Sequence, residues 1–242
     1  MSTAEDKRDP QPEDEPGPAP RPLDPGRTYG PALRSSALPG SLPAHLGELV
    51  RRWRIWKYRS LSTCRHVSGS PIVLQPVLFL GEGSIALGRD VEFGWRTSAS
   101  FYSGYCHIEA STPASSIELG DGAQVNNNAV IKSEGPGIEI GARALLGSGV
   151  TIYDSDFHDL HPDRRRGGQP LMARVELGEN VFIGDHVTIL KGVRIGAHSV
   201  IGTGSVVTSS IPAGVIAAGN PARVIRALDD EQPAKDRLAV VR

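Results

Sequence analysis

Residues 175–226 read VELGENVFIGDHVTILKGVRIGAHSVIGTGSVVTSSIPAGVIAAGNPARVIR, and their apolar positions recur every six residues. Ile183, Ile189, Ile195, Ile201 and Val207 mark the period, and Gly184, Gly196 and Gly202 follow three of them. A period of six fits neither the 3.6 of a helix nor the 2 of an isolated strand. It is the signature of a repeat architecture, the parallel β-helix. Each hexad supplies one short strand with its apolar residue pointing inward. The next residues turn a corner, where glycine is expected to supply a positive φ. Three hexads close one coil, so Ile183 and Ile201 are expected to stack on one face, and Ile189 and Val207 on the next. Coils spaced at roughly 4.8 Å bury one another's apolar rows, and no coil folds alone.

The same period runs upstream with slips in its frame. Leu87-Gly88, Phe93-Gly94 and Ala99 form one set. Leu119-Gly120, Val125 and Ile131 form a second, and Ile140-Gly141, Leu146-Gly147, Ile152 and His158 a third. The slip at SEGPG (133–137) predicts an enlarged turn. The largest interruption is DLHPDRRRGGQPLMAR (159–174), a polar loop between His158 and the resumption of the frame at Leu177. Insertions in such arrays map to loops on one face, often the binding face.

Composition suits this architecture. Aromatic residues are 5% of the 242-residue chain, in keeping with a narrow interior of Ile, Val and Ala. A net charge of −1 argues against nucleic-acid binding. Cys64 and Cys106 show no metal-ligand spacing, so neither a disulfide framework nor a zinc site is expected. The acidic N-terminus has no apolar core of a secretory signal, and no run of 18 apolar residues occurs, so a soluble cytoplasmic protein is expected.

Four regions follow. Residues 1–43 hold ten of the nineteen prolines and read as a disordered tail. Residues 44–71 read as a basic amphipathic helix and linker. Leu46, Leu49, Val50, Trp53 and Trp56 form an apolar stripe amid Arg51, Arg52, Arg54, Lys57 and Arg59. The stripe is expected to cap the open end of the β-helix; the alternative is peripheral contact of 44–59 with an anionic membrane. Residues 72–228 read as the β-helix, and 229–242 as a short C-terminal tail.

IGTGSVVT (201–208), AGNPARVIR (218–226) and YDSDFH (153–158) resemble the hexapeptide-repeat acyltransferases, particularly the maltose/galactoside and capsular-polysaccharide O-acetyltransferase types. The likeness covers about residues 75–228. It implies an all-β fold, a left-handed parallel β-helix with a short N-terminal helix, assembled as a homotrimer with sites between subunits. It also implies transfer of an acetyl group from acetyl-CoA to a hydroxyl of a sugar or glycan, without an acyl-enzyme. His158 would be the general base, a role its ordinary pKa of about 6.5 suits; the plain alternative is a surface histidine. Asp154 and Asp156 are candidates to orient it, and His161 competes with it. By the same resemblance Asn128 contacts the acceptor, while Asn126 and Asn127 read equally as corner residues. Asp185, Thr203, Thr208, Ser209, Arg223 and Arg226 fall on coenzyme A positions. The chain departs from the pattern at Asp185, where a small neutral residue is common, and at Ser209, where a lysine is common. Arg164, Arg165 and Arg166 would favour an acidic acceptor if their loop closed over the site, and are otherwise a solvated run.

Competing readings are an amino-sugar N-acetyltransferase, a serine-type O-acetyltransferase and a non-catalytic scaffold. The zinc-dependent γ-type carbonic anhydrases share the fold, but their His-x4-His pair has no counterpart here, and no metal is expected.

Overall fold

The computed structural model describes residues 42–229. The proline-rich tail lies outside the described residues apart from its last two positions, and the C-terminal tail lies outside them after Asp229. The described chain is one helix, Leu42–Leu61, followed by a left-handed parallel β-helix. Its strands begin at His66–Ser68, six residues earlier than the periodicity placed them.

Three parallel sheets form the faces of the coil. The first and third have six strands each, and the second has eight because a terminal hairpin extends it. The register follows the hexads. Ile183 pairs with Ile201 on the second face, and Ile189 with Val207 on the third. Further along the third face, Ile108, Ile131, Ile152 and Ile189 form one column, each fully buried. Packing β-branched side chains in vertical columns suits their restricted χ1, and each contributes about 1.5–3 kcal/mol by burial.

The glycines after the inward residues do something other than expected. Gly184, Gly196 and Gly202 do not have positive φ. A Cβ on Gly184 would stand 2.6 Å from the Thr203 backbone nitrogen, and one on Gly196 2.3 Å from that of Ala213. They are small because successive coils touch there. The left-handed residues fall two positions later and form columns of their own. Arg143, Asn180 and His198 share one corner, and Asn128, His186 and Gly204 another. His186 and His198 are therefore corner residues, the latter bonded through Nδ1 to the Asn180 amide at 3.2 Å.

Two excursions leave the coil. Residues 95–105 form the first, which the period did not anticipate. Ala99 is exposed there rather than filling an inward slot. The second follows Tyr153 and returns at Val175, held at its base by a bridge between Ser155 and Met172.

The helix packs against the first coil, but not through its apolar stripe. Arg51 donates to the carbonyls of Val73 (3.2 Å) and Leu74 (3.4 Å). Arg54, only 7% exposed, donates to the carbonyls of Phe101 (3.1 Å) and Gly104. The open end needs donors for unpaired carbonyls, and guanidinium groups supply them where Leu and Trp cannot.

Candidate active site

A cleft of about 540 Å³ opens on the third face, between the coil, the helix and the first excursion. Successive strands of this face send outward-pointing side chains into it. Strand Cys106–Ala110 contributes His107 and Glu109, strand Val130–Ser133 contributes Lys132, and Tyr153 ends strand Thr151–Tyr153. Tyr58 from the helix and Tyr105 from the excursion stack at 4.6 Å between ring centroids along one side.

The cleft's polar groups form one network. His107 Nε2 lies 2.8 Å from Glu109, whose other oxygen accepts from Ser111 (2.8 Å) and faces Lys132 (3.3 Å). Burial pushes the Glu109 carboxyl up, but the bonds from His107, Ser111 and Lys132 outweigh it and hold the pKa below the usual range. An ionised Glu109 can only accept, so His107 donates to it through Nε2–H. Periodicity passed over this pair because residues 100–118 lie between frames. The alternation in CHIEA was the available signal.

Asn128 enters from the corner with φ of 62°. Its backbone nitrogen donates to Gln75 (2.9 Å), and its carboxamide oxygen is buried without a hydrogen-bond partner among the described residues. Asn126 and Asn127 have structural partners. The Asn127 amide donates to the carbonyls of Trp95, Ser98 and Ala99 and pins the first excursion, and Asn126 bonds Ser98 at 2.9 Å.

His158 is exposed at the start of the second excursion. Phe157 before it has φ of 60°, an uncommon conformation for a bulky residue. Its ring packs edge-on against Tyr153 at 5.0 Å, under Lys132 Nζ at 5.0 Å. Phe157 thus touches two residues that line the cleft, Tyr153 and Lys132, while His158 itself is not among the lining residues. Neither candidate carboxylate orients it. Asp154 is fully buried and accepts from Ser133 (2.6 Å) and from the backbone of Glu134, Gly135 and Gly137, which shapes the SEGPG turn. Asp156 pairs with Lys191 at 2.7 Å. His161 Nδ1 accepts from Asp163 N at 3.3 Å and caps a short 3-10 turn, Pro162–Arg164. Arg164 pairs with Asp159 (2.8 Å), and Arg165 bonds the Leu160 carbonyl, so both fold back on their own loop.

The positions read for coenzyme A continue along the coil from Asn128. Asn127, Ser148, Asp185 and Thr203 form one corner column. Backbone bonds Gly149 N to Asn127 O, His186 N to Ser148 O and Gly204 N to Asp185 O link its steps. One Asp185 oxygen accepts from Ser148 N at 2.7 Å. Thr208 and Ser209 lie apart from that column, just past strand Val206–Val207, and both are exposed. Arg223 and Arg226 stand on the last strand, Ala222–Ala227. An odd spacing on a strand normally puts two side chains on opposite faces. Here a bulge intervenes, so Arg223 pairs with Ala218 and Arg226 with Ile216, two residues on the same face.

Coil, corner columns and closing hairpin together define a hexapeptide-repeat β-helix protein. Residues 174–209 match the family model described as bacterial transferase hexapeptide (six repeats). Over those residues the chain carries the hexapeptide repeats that the family model describes. It is 40% identical over 116 residues to the galactoside O-acetyltransferase of Escherichia coli (strain K12), covering 48% of this chain and 56% of that one. The galactoside O-acetyltransferase of Lactococcus lactis is 40% identical over 114 residues, covering 47% and 54%. The chain thus spans a little over half the length of these curated relatives. A hexapeptide-repeat acetyltransferase structure from Vibrio cholerae aligns with a TM-score of 0.47 at 24% identity, over 77% of this chain and 89% of that one.

Proposed function

We propose that the protein moves an acetyl group from acetyl-CoA to a hydroxyl of a sugar or glycan, as a homotrimer, with His158 as the general base. The observation that carries this reading is the cleft. It pairs an aromatic side, Tyr58 and Tyr105, with the polar side chains of His107, Asn128 and Lys132. A pyranose ring presents an apolar face and a rim of hydroxyl donors, and both parts find a counterpart. The names of the relatives support the same reaction.

Acetyl-CoA would approach along the corner column towards the cleft. Asp185 and Thr203 would meet its pantetheine arm. The bulge that turns Arg223 and Arg226 to one face supports a paired contact with its phosphates. Thr208 and Ser209 keep the roles the resemblance gives them. The acceptor hydroxyl gives its proton to His158 as its oxygen attacks the thioester carbonyl, and coenzyme A leaves as the thiol. Glu109 and Glu134 oppose Lys132 in the network, two carboxylates to one ammonium, which favours a neutral acceptor over an acidic one. The arginine run does not counter this, since Arg164 and Arg165 are engaged within their loop.

A second reading makes His107 the base, because Glu109 holds its ring through Nε2–H and that ring lines the cleft. Thiol release from acetyl-CoA over neutral sugars, amino sugars, uronic acids and serine separates the two. His158→Ala is expected to lower acceptor-dependent kcat about 10²–10⁴-fold, and His107→Ala to raise acceptor KM with a smaller loss of kcat. Full activity in His158→Ala, with loss in His107→Ala, transfers the role.

A further inference from the structure

Helix Leu42–Leu61 is docked with its polar side inward. Arg51, Arg54 and Tyr58 recur at i, i+3 and i+7 and meet the coil and the first excursion. The opposite side carries Leu46, Leu49, Trp53 and Trp56, which are 57–64% exposed. At 100° per residue, Arg52 and Arg59 border one edge of this stripe and Lys57 the other. All three cations are exposed, with Lys57 Nζ 5.7 Å from the centre of the Trp53 ring. Glu48, the one acidic residue between 45 and 61, is held at the inner edge by Arg51 and Arg96.

We propose that this face seats the protein on an anionic lipid bilayer. Two tryptophans and two leucines on one side of a helix suit the boundary between headgroups and acyl chains, where indole rings concentrate. Cations along both edges reach up to lipid phosphates while their stems stay on the apolar surface. A second copy of the same helix fits poorly, because a two-fold contact would bring these cations against their own kind. The helix, 20 residues long, is not apolar enough to cross a membrane, so it lies on the surface. The Arg51 and Arg54 bonds tie it to the coil, and the cleft, which Tyr58 also lines, is held at a set height above the lipid.

The test is co-sedimentation of the full chain with phosphatidylcholine vesicles, with and without phosphatidylglycerol. The expected result is binding that requires phosphatidylglycerol, weakens with salt and shifts tryptophan emission to the blue. Removing Arg52 and Arg59 together should weaken it roughly fivefold per cation, and Trp53→Glu with Trp56→Glu should abolish it. These side chains are solvent-exposed, so an unchanged far-UV circular dichroism spectrum and melting temperature serve as the control for folding. Three results overturn the proposal: no binding to either vesicle, binding that the tryptophan substitutions leave intact, or a lower sedimenting mass for those variants without vesicles. The last would assign the face to a second copy of the chain.

Discussion

Asn128 shows how one residue can serve the fold and the site through different atoms. Its backbone holds a left-handed corner, the conformation that Gly149 and Gly204 adopt in the same column, and its side chain lines the cleft with the carboxamide oxygen buried beside Gly104. Glycine is at ease at that φ, so Asn128→Gly removes the side chain while keeping the corner. Stability is expected to change by about 1 kcal/mol or less. Acceptor KM should rise several-fold with the KM for acetyl-CoA unchanged, as initial-rate kinetics against each substrate would read. Asp154 illustrates the opposite division. In YDSDFH it looked available to orient a histidine, yet every hydrogen bond its carboxylate accepts serves the SEGPG turn. A short motif lists the residues near a reaction without saying which of them face it.

At the scale of elements, the helix is attached by charge. Glu48 holds Arg51 and Arg96, and the bond from Arg51 in particular lowers its carboxyl to about 2. A carboxylate with a depressed folded pKa stabilises the docked state above its ordinary value near 4.5, and that contribution is lost as pH falls from there towards about 2. Attachment of the helix is therefore expected to weaken across that window, seen as rising protease sensitivity or hydrogen exchange in residues 45–61. In Glu48→Gln this pH dependence should be largely gone. The closing hairpin makes a parallel point. The bulge between Ile216 and Ala217, not the spacing of Arg223 and Arg226 in sequence, decides that both face one way.

Across the whole molecule, stability is a sum over coils, each meeting only its neighbours. Ile152 sits in the third-face column between Ile131 and Ile189 with no exposed surface. Ile152→Ala is expected to cost about 2–5 kcal/mol in urea denaturation, because the rigid columns around it have little room to collapse into the cavity. The same coil carries Tyr153, and through it the packing of Phe157, so activity should fall along with stability.

The inward columns, the order of the faces and the position of the largest loop were all legible in the hexads, because a period set by local geometry is written directly into residue order. His158 could be picked out for the same reason, as a polar residue at the point where the frame breaks. Four things required the tertiary structure: the first excursion, the His107–Glu109 pair, the true reason for Gly184 and Gly196, and the inverted helix. The pair is only two positions apart, but its network, like the other three, depends on residues distant in sequence, placed one above another by the stacking of coils or by docking against them. Glu109 meets Lys132 from the next coil, and Arg54 meets the carbonyl of Phe101. A six-residue period says which side chains point inward. Only the stacked coil says which outward ones become neighbours.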